Sequence, residues 1–211
     1  MKESIIRIAF EFGKLTNYVL PHFLMLKIEN FFHFVHSGRI HGQLLSCGFS
    51  LDLKFPTYLK GGKYMKIGNN FHALYRLRIE AWDQYNGIDF NPLITIGDNV
   101  SFSDNCHLGA INHVKIGNNV LFGSNVFITD HFHGSISISD DNIHPIERNL
   151  YSKGPVIIDD DVWVGDGVSI MPNITIGHSC IIGANSVVTR SFPASCVIAG
   201  CPAKIVKYLH N

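Results

Sequence analysis

The stretch Val162–Thr189, "VWVGDGVSIMPNITIGHSCIIGANSVVT", decides how this chain folds. Starting just upstream at Ile158, an aliphatic residue occupies every sixth position: Ile158, Val164, Ile170, Ile176, Ile182 and Val188. Two residues before each of them sits another apolar or small one: Val156, Val162, Val168, Ile174, Cys180 and Ser186. In a chain that is 46% apolar, six hits in one phase arise by chance roughly once in 100 trials. A period of six fits neither the 3.6-residue helix nor a simple alternating strand. It fits a short strand followed by a tight corner, repeated. The corners need residues that tolerate left-handed backbone angles, and "GDN", "GNN", "GSN" and "GAN" supply Gly, Asn and Asp there.

The same beat extends upstream. Ile96, Phe102 and Leu108 form one run, and after a two-residue insertion Ile116, Phe122 and Ile128 form another. A fainter start lies at Ile67, Ala73 and Ile79. Three such units close one triangular turn. Turns stacked at the sheet spacing of about 4.8 Å pair their backbones above and below. The aliphatic ladder then becomes a continuous apolar column that stabilises a solenoid by burial. The pattern therefore predicts an all-β solenoid over residues 49–195, with a mostly helical extension at 1–48 and a tail at 196–211.

Composition narrows the function. The chain has 211 residues, with 17 Lys plus Arg against 17 Asp plus Glu. A formal charge of zero argues against a dedicated nucleic-acid binder, which needs a basic surplus to displace counterions. The five cysteines, Cys47, Cys106, Cys180, Cys196 and Cys201, are odd in number and lack CxxC spacing, so neither a zinc knuckle nor a disulfide framework is expected. Cys106 and Cys180 fall in the apolar phase and read as small core residues. Reduced thiols fit a cytoplasmic protein. Glu3, Arg7 and Glu11 interrupt any signal-peptide layout, and no run reaches the roughly 18 apolar residues of a membrane span. Residues 4–36 are rich in Ile, Leu and Phe with a charge every few positions. They read as amphipathic helix packed on the body or a neighbour, or peripherally on a membrane surface.

The rhythm breaks at "NVFITDHFHGS", Asn125–Ser135, leaves the ladder after Ile128 and rejoins it at Ile158. An interruption of this length, 129–155, on a rigid scaffold is a usual carrier of function. It opens with His131 and His133, and imidazole is a natural general base near neutral pH. An alternative is that one or both histidines only cap the broken turn. A second interruption, "EAWDQYNGIDFNP" at Glu80–Pro92, carries Trp82, Asp83 and Tyr85, which suit sugar recognition by stacking and hydrogen bonding or else pack a loop at a subunit seam.

"ITIGDNV", "VKIGNNVLFGSNVFI" and the opening stretch resemble the hexapeptide-repeat acyltransferases, whose fold is a left-handed parallel β-helix. The resemblance runs from about Phe49 to the C-terminus. It is strongest with the maltose/galactoside O-acetyltransferase branch and its relatives that acetylate capsule or O-antigen sugars. It implies an acetyl-CoA-dependent O-acetyltransferase, with the acetyl group passed directly to a saccharide hydroxyl and no metal required. The family's base follows the last regular aliphatic residue by five positions, which is His133 here, with His131 as the alternative. Trp163 matches a tryptophan lining the family's cleft, or else is an exposed aromatic on a sheet face. Ala184 and Thr189 match contacts to coenzyme A, and Lys204 and Lys207 in "VIAGCPAKIVK" match positions that reach its phosphates. Where the family places an Asn against the acceptor this chain has Ser103, followed by Asp104 and Asn105.

The resemblance further implies a homotrimer with its sites between subunits. Three other functions compete. An N-acetyltransferase would use an amino group on a nucleotide-linked sugar. A zinc-dependent carbonic-anhydrase-like protein would use imidazoles such as His107, His113, His131 and His133. A non-catalytic trimerisation module would use neither.

Overall fold

The computed structural model describes residues 2–19, 21–135 and 142–209, so 136–141 of the expected insertion lie outside it. The six-residue beat appears as strands of two to four residues whose alternate side chains turn inward. Ile94 and Ile96, Val114 and Ile116, Val156 and Ile158, and Ile174 and Ile176 are such pairs on successive strands, all of them buried.

Among the described residues three parallel sheets carry the body, and the chain visits them in rotation. The first sheet gains Met65–Ile67, Leu93–Ile96, His113–Ile116, Val156–Ile158 and Ile174–Ile176. The second gains Phe71–Ala73, Ser101–Phe102, Leu121–Phe122, Trp163–Val164 and Ile181–Ile182. The third gains Arg78–Ala81, His107–Ala110, Phe127–Thr129, Ser169–Ile170 and Val187–Val188. Ser46–Cys47, Leu51–Leu53 and Tyr58–Lys60 open the three sheets in the same order. Cys196–Gly200 adds in parallel to Ile181–Ile182, and Ala203–Tyr208 folds back on it antiparallel.

The corners are tied by stacked amides. Asn70 Nδ2 donates to Asn99 Oδ1 at 2.9 Å, Asn99 to Asn119 at 3.0 Å, and Asn119 to Asp161 at 2.9 Å. All four residues have positive φ, which Asn and Asp adopt more readily than other side chains. Two antiparallel ribbons project from the body: Gln84–Tyr85 with Ile88–Asp89, and Phe132–His133 with Leu150–Tyr151. They belong to the two interruptions of the beat.

Two helices precede the sheets: α1, Lys2–Val19, and α2, His22–His41. The second half of α2 docks on the first turn. Ser37 Oγ accepts from the Leu53 N–H at 2.9 Å, His33 Nδ1 accepts from the Phe55 N–H at 3.0 Å, and Ile40 enters the core. Along α1, Ile5, Ile6, Ile8, Phe10, Phe12 and Leu15 are each at least 60% exposed. No helix among the described residues is long and apolar enough to cross a membrane.

In the column, Phe102 and Phe122 stack at 4.2 Å between centroids and 6° between planes, both fully buried. Phe122→Ala opens a cavity that rigid neighbouring turns cannot close. It is expected to cost about 3–5 kcal/mol in urea unfolding, and a loss under about 1 kcal/mol would show that the column collapses around it.

Candidate active site

The third sheet sets the floor of the site. Its register aligns Arg78, His107 and Phe127 in one row and Glu80, Gly109 and Thr129 in the next. The residues between them, Ile79, Leu108 and Ile128, point into the core, so strand alternation turns both rows outward.

Asp130 makes the transition from column to arm. Its carboxylate is wholly buried and accepts the backbone N–H groups of Ile111 at 2.9 Å and Asn112 at 2.8 Å. Those two residues belong to the small insertion of the preceding turn, so one side chain pins both departures from the beat. Asp130 Oδ1 also lies 2.9 Å from His131 Nδ1. A neutral imidazole that donates through Nδ1 keeps its lone pair on Nε2, the arrangement a proton acceptor needs.

His133 lies on the arm's ribbon opposite Leu150. Its ring meets the Tyr85 ring edge-on, with centroids 5.4 Å apart. Tyr85 Oη donates to the Ile146 carbonyl at 2.9 Å, and Asn86 Nδ2 donates to the same oxygen at 3.2 Å. The two interruptions are thus tied to one another. Beneath them is a cavity of about 340 Å³ whose lining includes Trp82, Tyr85, His107, Gly109, His131 and His133.

Glu80 forms the far wall and is 2% exposed. Its Oε2 accepts from Arg78 Nε at 2.7 Å and lies 3.0 Å from His107 Nε2. Burial alone would raise its pKa, but the hydrogen bonds from His107 and Arg78 together hold the carboxyl below its ordinary 4.5. No thiol lines the cavity, and burial pushes the nearby Cys106 up to about 11, which keeps it protonated.

The structure sorts the residues singled out in the sequence. Trp82, Tyr85, His131 and His133 come together at the cavity. Lys60 Nζ sits 2.9 Å from the centre of the Trp82 ring and covers one face, and the Tyr85 ring meets Trp82 at 73° with centroids 5.8 Å apart. Asp83 points elsewhere, its Oδ2 held by Lys63 and by Tyr64 Oη, each at 3.0 Å. Ser103 and Asn105 lie at a corner outside the cavity, and Asn105 Oδ1 accepts from Arg76 Nε. Trp163 stands exposed on the second sheet between Leu121 and Ile181. Lys204 and Lys207 are exposed on the C-terminal strand of that sheet, Ala184 is at an exposed corner, and Thr189 follows the last strand of the third sheet. None of these last five lines the cavity within one chain.

Sequence reasoning missed Glu80, Arg78, Gly109 and Asp130 as parts of the site. Only Asp130 carried a local signal, an acid directly before His131 in "TDHFH". Of the histidines that invited a zinc reading, His113 belongs to the first sheet rather than the cavity. Among the described residues no group of three or more His, Cys, Asp or Glu side chains is placed to hold a metal ion.

Comparison with known proteins identifies the family to which this arrangement of three parallel sheets belongs. Residues 155–190 match the family model for the bacterial transferase hexapeptide (six repeats), and residues 113–141 match that for the hexapeptide repeat of succinyl-transferase. The putative lipopolysaccharide biosynthesis O-acetyl transferase WbbJ of Escherichia coli (strain K12) is 41% identical over 164 residues, covering 75% of this chain and 80% of its own length. A galactoside acetyltransferase solved with coenzyme A superposes with a TM-score of 0.53 at 26% identity, covering 82% of this chain and 69% of that one. AntD, an N-acyltransferase from Bacillus cereus, reaches a TM-score of 0.63 at 18% identity over 83% of this chain and 90% of its own, a likeness of fold. The chain belongs to the hexapeptide-repeat acetyltransferases and is an acyltransferase.

Asp130→Ala strands two backbone N–H groups and releases His131, so thermal unfolding should show a loss of about 1–3 kcal/mol; no loss would mean that water replaces the carboxylate at no cost. Glu80 has a folded pKa below its ordinary 4.5, so its contribution to stability is full above that pH and is lost as pH falls through the depressed value. On acidification the melting temperature of the wild type should therefore fall more steeply than that of Glu80→Gln. Parallel curves would mean that the carboxylate is not linked to folding.

Proposed function

We propose that this chain is an acetyl-CoA-dependent O-acetyltransferase acting on a hydroxyl of a saccharide of the lipopolysaccharide, capsule or related glycan class, and that transfer occurs in the cavity under the arm. The observation that carries this reading is the pair of imidazoles, His131 and His133, meeting over a cavity partly walled by Trp82 and Tyr85, in a chain similar to an O-acetyl transferase. His133 takes the proton from the acceptor hydroxyl as its oxygen attacks the thioester carbonyl. The C–O bond forms, the C–S bond breaks, and the imidazolium returns the proton to the departing sulfur. The products are the sugar ester and the free coenzyme thiol, with no covalent enzyme intermediate.

The donor fits residues that lie away from the imidazoles. Trp163, Lys204 and Lys207 belong to the second sheet, whereas the arm leaves the third. A triangular body brings two such faces into one cleft when copies stand side by side. Hence we read a homotrimer with three sites, each lined by two subunits, and the winding as left-handed. The coenzyme-A complex of the galactoside acetyltransferase supports that donor. Trp163, Ala184 and Thr189 then flank the pantetheine, and Lys204 and Lys207 face the phosphates as point charges. Ser103 and Asn105 would reach the acceptor only across the subunit seam.

A second reading of the base is favoured by the Asp130–His131 contact, because a carboxylate-oriented imidazole is a common general-base device. Thiol release from acetyl-CoA with saccharide acceptors separates the two. His133→Ala should keep the fold and the trimer and lose roughly 10²–10⁴-fold in rate. A loss confined to His131→Ala moves the base to His131. Near-normal turnover in both variants, or transfer to amino sugars alone, overturns the reading.

A further inference from the structure

The wall opposite the arm holds a carboxylate that is only half used. Glu80 Oε2 takes both Arg78 and His107, whereas its Oε1 is buried and has no hydrogen-bond partner among the described residues. A buried carboxylate oxygen without a donor is costly, and native structures rarely keep one without a use. Beside it in the row is Gly109. A Cβ built there would come 3.3 Å from His131 Cε1 and 3.8 Å from His107 Nε2. The missing side chain therefore leaves open the space between the two imidazoles, next to Glu80.

We propose that Glu80, His107 and the gap over Gly109 form the acceptor subsite, in which Glu80 accepts a hydrogen bond from a hydroxyl of a hexopyranose ring and so selects which ring is acylated. This rests on the reading of the cavity as the acyl-transfer site. An ionised carboxylate only accepts, so the ligand group it takes is an O–H or N–H donor. Arg78 offsets the carboxylate's charge, which suits a neutral ring. Glu80 and Gly109 determine specificity and take no part in the proton transfer.

The test uses the full-length chain, acetyl-CoA, and the methyl glycopyranosides of galactose, glucose and mannose, with thiol release as the readout. Glu80→Gln keeps an oxygen for Arg78 and His107 but replaces the free acceptor with an N–H₂ donor. It should raise the acceptor KM about tenfold or more, the size of a lost charge-assisted hydrogen bond. KM for acetyl-CoA and kcat at saturating acceptor should stay near wild type. Gly109→Ala should also raise the acceptor KM, by filling the gap while leaving the carboxylate in place. Both variants are first shown by circular dichroism to be folded. An unchanged acceptor KM in Glu80→Gln, or a fall in kcat with KM unchanged, overturns the subsite and leaves the proposed function standing. Wild-type release with none of the three glycosides overturns the subsite, and if the only acceptors are amino sugars the proposed function falls as well.

Discussion

Parallel pairing in register between successive turns is the constraint on which the rest of this molecule depends. Each turn shares its backbone hydrogen bonds with the turns above and below, so its inward residues must stack on theirs. Val114 lies over Val156 and Ile116 over Ile158, which in turn lie over Ile174 and Ile176. The corners leave no slack. A Cβ on Gly117 would collide with the Asp160 carboxylate of the next turn, the same carboxylate that accepts the Asn118 N–H at 2.7 Å. A column packed this closely has no internal room for a ligand. Room for a ligand therefore lies outside the column.

The departures are few and are mechanically joined. Asp130 fastens the arm's first residue to the small insertion of the previous turn, and Tyr85 and Asn86 fasten the earlier ribbon to the arm at Ile146. Rigid strands then carry the groups that touch the cavity, as precise chemistry requires. Two carboxylate–imidazole contacts face one space, Asp130 with His131 and Glu80 with His107. Within hydrogen-bond range, each carboxylate fixes the orientation of its ring.

Much of the column was legible because its physics is periodic. The residues from Ile158 to Val188 read as sheet positions without further help, since only inward aliphatics recur at six. The first turns were fainter: Ala73 is small, and the interruption at Glu80–Pro92 separates Ile67, Ala73 and Ile79 from the run that starts at Ile96. Even so, all three are buried. The arm was legible as a break, and its histidines as candidates. The opposite wall was not. Glu80 and His107 are 27 positions apart, and only the strand register, which sets Gly109 beside Glu80, brings them to one cavity. Asp83 shows the converse: its neighbours Trp82 and Tyr85 reach the cavity, but Lys63 and Tyr64 capture its carboxylate on another side.

The central claim is that the breach in the beat receives the thioester. A crystal structure of the protein with coenzyme A bound tests it most directly. The account predicts the pantetheine sulfur in the cavity under the arm, within about 3.5 Å of the His133 imidazole, with Trp163 of an adjacent copy along its path. A coenzyme seated elsewhere, with both imidazoles turned from its sulfur, would contradict the account.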